Sequence, residues 1–310
     1  MEYVLLIAGF VLLIKGADFF VDGSASVAQK MRISSMVIGL TVVAMGTSAP
    51  ECAVSIAASF RGDNAVAISN AVGSNIFNLL IVCGVCSVIA PLHVKAGTLK
   101  KEFPISIAAA FALVALGYLG MEIGRVDGLL MIAGFVVFLV WLVRAAKREQ
   151  NGQQTDGQGG KSLSAVRCFL YIVGGIAAIV AGGDLVVDSA TAIAENFGLS
   201  QNLIGLTIVA MGTSLPELVT SVVAAKKGET DMAIGNVIGS CIFNILLVLG
   251  IAGAISPMEV LLENIIDVII LIGISAVAWI FAWTGKEISR IEGAVMVAVY
   301  AAYMGYICVR

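Results

Sequence analysis

Long apolar stretches separated by short polar connections run along almost the whole chain. A helix needs about 20 mostly apolar residues to cross a bilayer, and ten stretches come close to that length. A long apolar run such as 265–281 lacks the alternation that is typical of a membrane β-strand. The pattern predicts an all-α integral membrane protein with ten transmembrane helices, at about residues 3–27, 35–60, 65–90, 103–120, 125–146, 165–195, 201–225, 232–255, 265–284 and 288–309.

The composition excludes an ordinary soluble protein. Apolar residues make up 59% of the 310 residues and charged residues only 13%, whereas average soluble chains carry about 45–50% and about 25%. The first apolar stretch contains Lys15 and Asp18 and is followed by many similar stretches, so we expect a retained helix and not a cleaved signal peptide. The net charge of −3 gives no indication of a nucleic-acid partner.

Basic residues are concentrated in alternate connections, which predicts the topology. Cytoplasmic loops of membrane proteins are enriched in Lys and Arg. One set of connections holds only Arg61, Arg125 and Arg310. The other set holds Lys30, Arg32, Lys95, Lys100, Lys101, Arg144, Lys147, Arg148, Lys161, Arg167, Lys226, Lys227, Lys286 and Arg290. This asymmetry predicts a multi-pass protein of the cell (inner) membrane with both termini outside.

The two halves of the chain are copies of each other. Residues 38–91 reappear at 204–257 with a constant offset of 166 positions and without a gap. Between the copies, residues 149–162 are polar and rich in Gln and Gly, which predicts a disordered linker. We therefore expect a first five-helix repeat at 1–148, a polar cytoplasmic linker at 149–162 and a second repeat at 163–310.

An odd number of helices in each copy has a topological consequence. If each half contributes five helices, the second copy enters the membrane from the opposite side, so the repeats are inverted. Inverted repeats with a substrate site at the midplane are a recurring architecture of secondary transporters. A duplicated bundle without a transport role is the alternative. It is disfavoured because the positions kept between the copies are polar.

Two carboxylates lie near the centres of predicted spans. The motif GTSAPE ends at Glu51 and its copy GTSLPE ends at Glu217. A carboxylate at this depth is costly unless it is paired, so it is a functional-site candidate, and no Lys or Arg lies at comparable depth in the same helices. Pro50 and Pro216 lack an amide hydrogen, which frees carbonyl groups one turn earlier.

The following helix of each half adds a stripe of polar side chains at helical spacing. The stripes are Asn70, Ser74 and Asn78 in the first half and Asn236, Ser240 and Asn244 in the second. One such stripe is often a simple helix–helix contact, but symmetric stripes beside two glutamates favour an ion site. Oxygen ligands without His or thiolate are typical of Ca²⁺, Na⁺ or Mg²⁺ sites. Mg²⁺ is the less favoured of the three because it loses its water reluctantly.

These motifs resemble the two alpha-repeats of the cation/calcium exchanger superfamily, most of all the prokaryotic sodium/calcium exchangers. The resemblance covers essentially the whole chain and rests on GTSAPE, GTSLPE, GSNIFN at Gly73 and GSCIFN at Gly239. It implies that Glu51 and Glu217 are shared ligands of Ca²⁺ and Na⁺, and that the first and sixth helices slide to alternate access. The remaining implied ligands are hydroxyls of Thr47, Ser48, Thr213 and Ser214, carbonyls of Ala44 and Ala210, and the polar side chains of Ser74, Asn78, Ser240 and Asn244.

One position departs from part of the superfamily. Some members, including potassium-dependent ones, carry Asp where this chain has Asn244, which weakens the case for potassium co-transport. Proton-coupled relatives usually show GNxxE in place of GTSxPE, which favours Na⁺ as the counter-ion. The sequence thus predicts a sodium/calcium antiporter that is not an enzyme, with no cofactor, with the lipid bilayer and the two ions as its partners, and with no obligate protein partner. A calcium/proton antiporter and a passive cation channel are the alternatives.

Other polar residues carry weaker indications. Asp18 and Asp184 recur in the repeat on the helices expected to slide, so a role in gating competes with simple interfacial placement; a local ion pair between Lys15 and Asp18 is the plainer interpretation. Cys83 and Cys86 have CxxC spacing in an apolar helix and are interpreted as packing residues. His93, at a helix end, is interpreted as a solvated or interfacial side chain.

Overall fold

A computed structural model of the chain describes residues 1–62, 64–152, 163–198, 208 and 210–309, and nearly all of them are helical. In the first half, α1 spans Glu2–Met31, α2 runs to Thr47 and α3 spans Ala49–Arg61. α2 consists of the α-helical segments Ser35–Ile38 and Ala44–Thr47 around a π-helical turn, Gly39–Val43. The half continues with α4 (Asn64–Phe77, a π-helical turn Asn78–Val82, and Cys83–Ile89), α5 (Ala96–Lys100), α6 (Glu102–Gly120) and α7 (Arg125–Gly152).

The second half contains the corresponding elements. α8 spans Ala165–Asn196, and the copy of the bent α2–α3 region includes α9 (Ala210–Gly212) and α10 (Leu215–Lys226). The remaining helices are α11 (Thr230–Phe243, a π-helical turn Asn244–Val248, and Leu249–Ile255), α12 (Leu262–Gly285) and α13 (Arg290–Val309). The π-helical turns of α4 and α11 begin at Asn78 and Asn244, the last polar residue of each stripe.

Several helices are long and apolar enough to cross a membrane. By length and composition, six of the described helices meet that test: α1, α4, α7, α8, α11 and α12. The bent pair α2–α3 adds a seventh when it is counted as one span. The chain is therefore a helical multi-pass protein, as predicted. The expected total of ten remains a prediction, and residues 199–207 and 209 of the expected span 201–225 lie outside the described residues.

The boundary of the first half differs slightly from the prediction. Helix α7 continues to Gly152, so the first four residues of the expected linker are helical. Arg148, Glu149 and Gln150 are good helix formers, and glycine is common where a helix ends. The rest of the linker, 153–162, lies outside the described residues.

Two very short strand pairs join the halves and were not predicted. β1 (Leu92–His93) pairs antiparallel with β4 (Glu287–Ile288), and β2 (Glu122–Ile123) pairs with β3 (Met258–Glu259). Each pair links the connection after one half's third span to the connection before the other half's last helix. Two-residue strands leave no signal in a hydrophobic pattern, because alternation needs more residues to be visible.

Helices α1 and α8 pack against each other along a seam of glycines. A Cβ atom added to Gly16 would lie 3.0 Å from the carbonyl oxygen of Gly175, and one added to Gly182 would lie 2.9 Å from that of Gly9. Backbones can approach this closely only where side chains are absent. Small residues at such contacts are the usual means by which helices associate in lipid, where there is little hydrophobic driving force between them.

We expect Gly175→Ala to destabilise the protein and Gly174→Ala to leave it unchanged or slightly more stable. A Cβ atom at 175 would lie 2.8 Å from Phe20 and from the carbonyl oxygen of Gly16, whereas nothing lies within 4 Å at 174. Both variants gain the same helix propensity. The difference in stability between them therefore measures overpacking at 175, which costs about 1–3 kcal/mol. Thermal unfolding in detergent measures it; equal melting temperatures for the two variants would contradict the seam.

Candidate ion-binding site

The two GTSxPE motifs lie at breaks between helical segments. The axes of α2 and α3 differ by 50° across Ser48, where the backbone leaves the helical region (φ −82°, ψ 13°). Ser214 has nearly the same conformation before α10 (φ −93°, ψ 5°). Pro50 and Pro216 stand in the first turns of α3 and α10, a position that proline tolerates because its missing amide would be unpaired there. Each break thus places a glutamate in the first turn of a new helix.

Glu51 and Glu217 are completely buried and are held by each other's half of the chain. The hydroxyl of Ser48 donates to Oε1 of Glu217 at 2.7 Å, and that of Ser214 donates to Oε1 of Glu51 at 3.1 Å. The two contacts are exchanged by the offset of 166 positions. Neither glutamate forms an ion pair with any described Lys, Arg or His.

Several other buried polar atoms around the glutamates lack hydrogen-bond partners. Oε2 of each glutamate is buried and has no hydrogen-bond partner. The same is true of further atoms of the predicted set. Buried polar atoms are rarely left in this state. These atoms are Oε2 of Glu51 and Glu217, Oγ of Ser74 and Ser240, Oγ1 of Thr213, both amide atoms of Asn78, and Oδ1 of Asn244.

The first residue of each polar stripe belongs to an outer layer. Asn70 donates to the hydroxyl of Ser55 at 3.0 Å and to the carbonyl oxygen of Glu51 at 3.2 Å. Asn236 makes the corresponding bond to Ser221 at 2.9 Å. Asn70 therefore supports the backbone at Glu51, whereas Asn236 bonds to the side chains of Ser221 and Thr47.

The threonines and alanines of the predicted set are placed less symmetrically. The hydroxyl of Thr47 is near Oδ1 of Asn236 (3.1 Å) and the carbonyl oxygen of Val43 (3.1 Å). The carbonyl oxygen of Ala44 accepts from the amide of Ser48 at 3.0 Å and lies 3.4 Å from the hydroxyl of Thr47. Ala210 begins α9, and its side chain lies outside what the structure describes.

Asp18 and Asp184 lie outside the buried cluster and differ from each other. Asp18 pairs with Lys227 at 3.2 Å and more distantly with Lys15 at 3.8 Å, and Lys227 also contacts Asp22 at 2.7 Å. Asp184 is exposed and forms no ion pair within the described part of the chain. The pairing of Lys227 with Asp18 was not predicted, because a basic residue at a helix end is already accounted for by topology.

The two cysteines of the CxxC spacing and His93 lie in surroundings that agree with their plain interpretation. Cys83 and Cys86 are buried in α4, and His93 is exposed with its Nδ1 3.0 Å from Oε2 of Glu287. Among the described residues, no group of three or more His, Cys, Asp and Glu side chains comes together. Apart from Nδ2 of Asn78, the unpartnered atoms of the buried cluster are all oxygens, and oxygen ligands suit hard cations and not transition metals.

A family model described as "Sodium/calcium exchanger protein" matches residues 1–144 and 168–309. The chain belongs to the sodium/calcium exchanger family. The resemblance noted in the motifs is confirmed, and membership of this family makes the chain a transporter and not an enzyme.

Relatives of the family match over nearly the full length. The putative antiporter CaxA of Alkalimonas amylolytica is 39% identical over 97% of this chain and 96% of its own. The sodium/calcium exchanger MaX1 of Methanosarcina acetivorans is 34% identical over 98% and 97%. A solved structure of the sodium-calcium exchanger NCX_Mj superposes with a TM-score of 0.86 at 30% identity, over 99% and 98% of the two chains.

Proposed function

We propose that this exchanger-family protein is a secondary active antiporter that moves Ca²⁺ in exchange for Na⁺, with both ions held between its halves by Glu51 and Glu217. The observation that carries the proposal is the set of unpartnered oxygens around two fully buried carboxylates. A bound cation would satisfy these oxygens together, which no described protein group does. MaX1 and NCX_Mj, which match over nearly the full chain, carry the same activity in their names.

Charge balance explains why such a site would exchange ions. Burying a carboxylate without a partner costs several kcal/mol, and here two of them lie in one cluster. One Ca²⁺ or two Na⁺ would neutralise the pair, since the carboxylates together carry two negative charges. An empty site would have to cross the membrane barrier with both charges unpaired. Movement is therefore favoured only when the site is loaded, so transport in one direction requires a counter-ion in the other.

The architecture we propose is ten membrane spans in two inverted five-helix repeats, with both termini outside. Three features support it: the offset of 166 between residues 38–91 and 204–257, the exchanged bonds from Ser48 and Ser214, and the concentration of basic residues in alternate connections. A relative that is 36% identical over 83% of this chain is named inner membrane protein YrbG in Escherichia coli, which supports the same location here.

The direct test is Ca²⁺ uptake by reconstituted vesicles under three driving forces. We expect uptake to follow an outward Na⁺ gradient and to remain low with an outward H⁺ gradient or with a membrane potential alone. Uptake that follows only the proton gradient would show that the counter-ion is H⁺ and not Na⁺. Uptake that needs only voltage would indicate a passive channel, because a channel does not depend on a counter-ion gradient.

Glu51→Gln and Glu217→Gln should each abolish Ca²⁺ transport while the protein still folds. The amide keeps the shape of the side chain but removes one of the two charges that balance Ca²⁺. Glu122→Gln is the matched control, since Glu122 is exposed in β2 and lies outside the cluster. Ca²⁺ uptake and Ca²⁺-dependent thermal stabilisation measure the effect; normal uptake by either cluster variant would refute the site.

Access to the site would alternate as α1 and α8 move past the other helices, and the Asp18–Lys227 pair would hold one end state. Lys227 directly follows α10 and joins it to the middle of α1 through Asp18 and Asp22. The offset of 166 relates these residues to Arg61, Asp184 and Asp188, among which no ion pair forms within the described residues. Among the described residues, α1 is therefore held to the end of α10 by ion pairs, whereas the corresponding residues of α8 and α3 form none.

Lys227→Gln should change the rate of Ca²⁺ exchange and leave Ca²⁺ affinity intact. A partly exposed ion pair is worth at most about 1 kcal/mol, so the expected change is at most about fivefold. Asp22→Lys with Lys227→Asp should restore the rate, and Arg61→Gln is the control at the corresponding position. Loss of Ca²⁺ binding in Lys227→Gln would show that this lysine supports the ion site itself.

A further inference from the structure

Asn75 lies where the two halves of the chain meet. It is fully buried in α4, between the stripe residues Ser74 and Asn78, and the offset of 166 relates it to Cys241. These two residues contact each other: Nδ2 of Asn75 donates to the carbonyl oxygen of Cys241 at 3.1 Å, and Sγ of Cys241 is 3.9 Å from the carbonyl oxygen of Asn75. The repeat symmetry is therefore broken by one side chain at the junction itself.

The contact with Cys241 fixes the orientation of the Asn75 amide. Because its nitrogen faces a carbonyl oxygen, which only accepts, its own oxygen faces the other way. That oxygen accepts a hydrogen bond from Nδ2 of Asn244 at 3.1 Å. The nitrogen of Asn244 is therefore occupied, and its Oδ1 is left buried and without a partner.

The corresponding amide in the first half has no such support. Both amide atoms of Asn78 lack hydrogen-bond partners, and the residue that would orient it by symmetry is Cys241, whose thiol is a weak donor and a weak acceptor. Asn78 and Asn244 thus occupy equivalent positions in the repeat, but only the amide of Asn244 is oriented by a hydrogen bond.

We infer that Asn75 is a positioning residue that holds the Asn244 carbonyl oxygen toward the transported cation. This inference rests on the proposed function, since it assigns one ligand of that site. Only the oxygen of an amide binds a cation, and an inverted Asn244 would present two N–H groups with the wrong sign of charge. A pre-oriented dipole interacts more strongly with Ca²⁺ than with Na⁺, because charge–dipole energy scales with the charge of the ion. Loss of Asn75 should therefore weaken Ca²⁺ binding more than Na⁺ binding.

The test is a double-mutant cycle on Ca²⁺ binding by the purified full-length protein. We expect Asn75→Ala to weaken Ca²⁺ binding by about three- to tenfold, the range of one ordinary hydrogen bond, and to weaken Na⁺ competition less. In the Asn244→Ala background, Asn75→Ala should have no further effect, because the group it orients is gone. Asn264→Ala is the control: Asn264 is a buried amide that caps α12 outside the cluster, so it should leave Ca²⁺ affinity unchanged.

A residue swap tests the same idea without leaving a cavity. In Asn75→Cys combined with Cys241→Asn, the orienting amide moves to the other half, where symmetry places it beside Asn78. We expect this variant to retain Ca²⁺ affinity and to become sensitive to Asn78→Ala in place of Asn244→Ala. It also serves if Asn75→Ala fails to fold.

The outcomes separate this inference from the proposal on which it rests. Wild-type protein that binds no Ca²⁺, or Glu51→Gln that binds it normally, would overturn the proposed function and the role of Asn75 with it. Wild-type protein that binds Ca²⁺ while Asn75→Ala binds equally well, or effects of Asn75→Ala and Asn244→Ala that simply add, would overturn only the role of Asn75. A swap variant that still depends on Asn244 would do the same.

Discussion

Two carboxylates without a cationic partner, buried together in the middle of a membrane protein, are the constraint on which the rest of this structure depends. Ionised groups in a low-dielectric interior are stable only when they are paired or well hydrogen-bonded. Each glutamate accepts a hydrogen bond from the serine of the opposite half. Neither half can therefore complete its own site. Each half depends on the other for one hydrogen bond to its glutamate.

The backbone around the site is shaped by the same requirement. Unwound or broken helices are tolerated at membrane depth only where other protein groups or a cavity satisfy the freed backbone atoms. Here the breaks at Ser48 and Ser214 place the glutamates in first helical turns, where the positive end of a helix dipole stabilises a negative charge. The glycine seam between α1 and α8 then lets two long helices pack closely beside this irregular core.

The side chains that form the buried cluster could be predicted from the sequence, whereas the contacts among them could not. The paired motifs predicted which side chains come together, because a polar residue that recurs at the same place in two apolar helices is rarely there for packing alone. Lys227 could not be predicted as a partner of Asp18: the two lie 209 positions apart, and the sequence offered Lys15 nearby. The short strand pairs and the role of Asn75 were also missed. Both depend on which backbone atoms meet across the two halves, and a symmetric pattern predicts equivalent positions without predicting contacts between them.

The positions that break the repeat matter for a reason that symmetry itself supplies. If the two halves were identical, exchanging their conformations would give two end states of equal energy, facing opposite sides of the membrane. The energy difference between those states can then come only from residues that differ between the copies, from the lipid and ions on either side, and from the connections. A difference of a few kcal/mol suffices to leave one state almost unpopulated. Asn75 opposite Cys241, deep in the junction, is a difference of that kind. It lies in the buried polar cluster, where it contacts Asn244, and not at the surface.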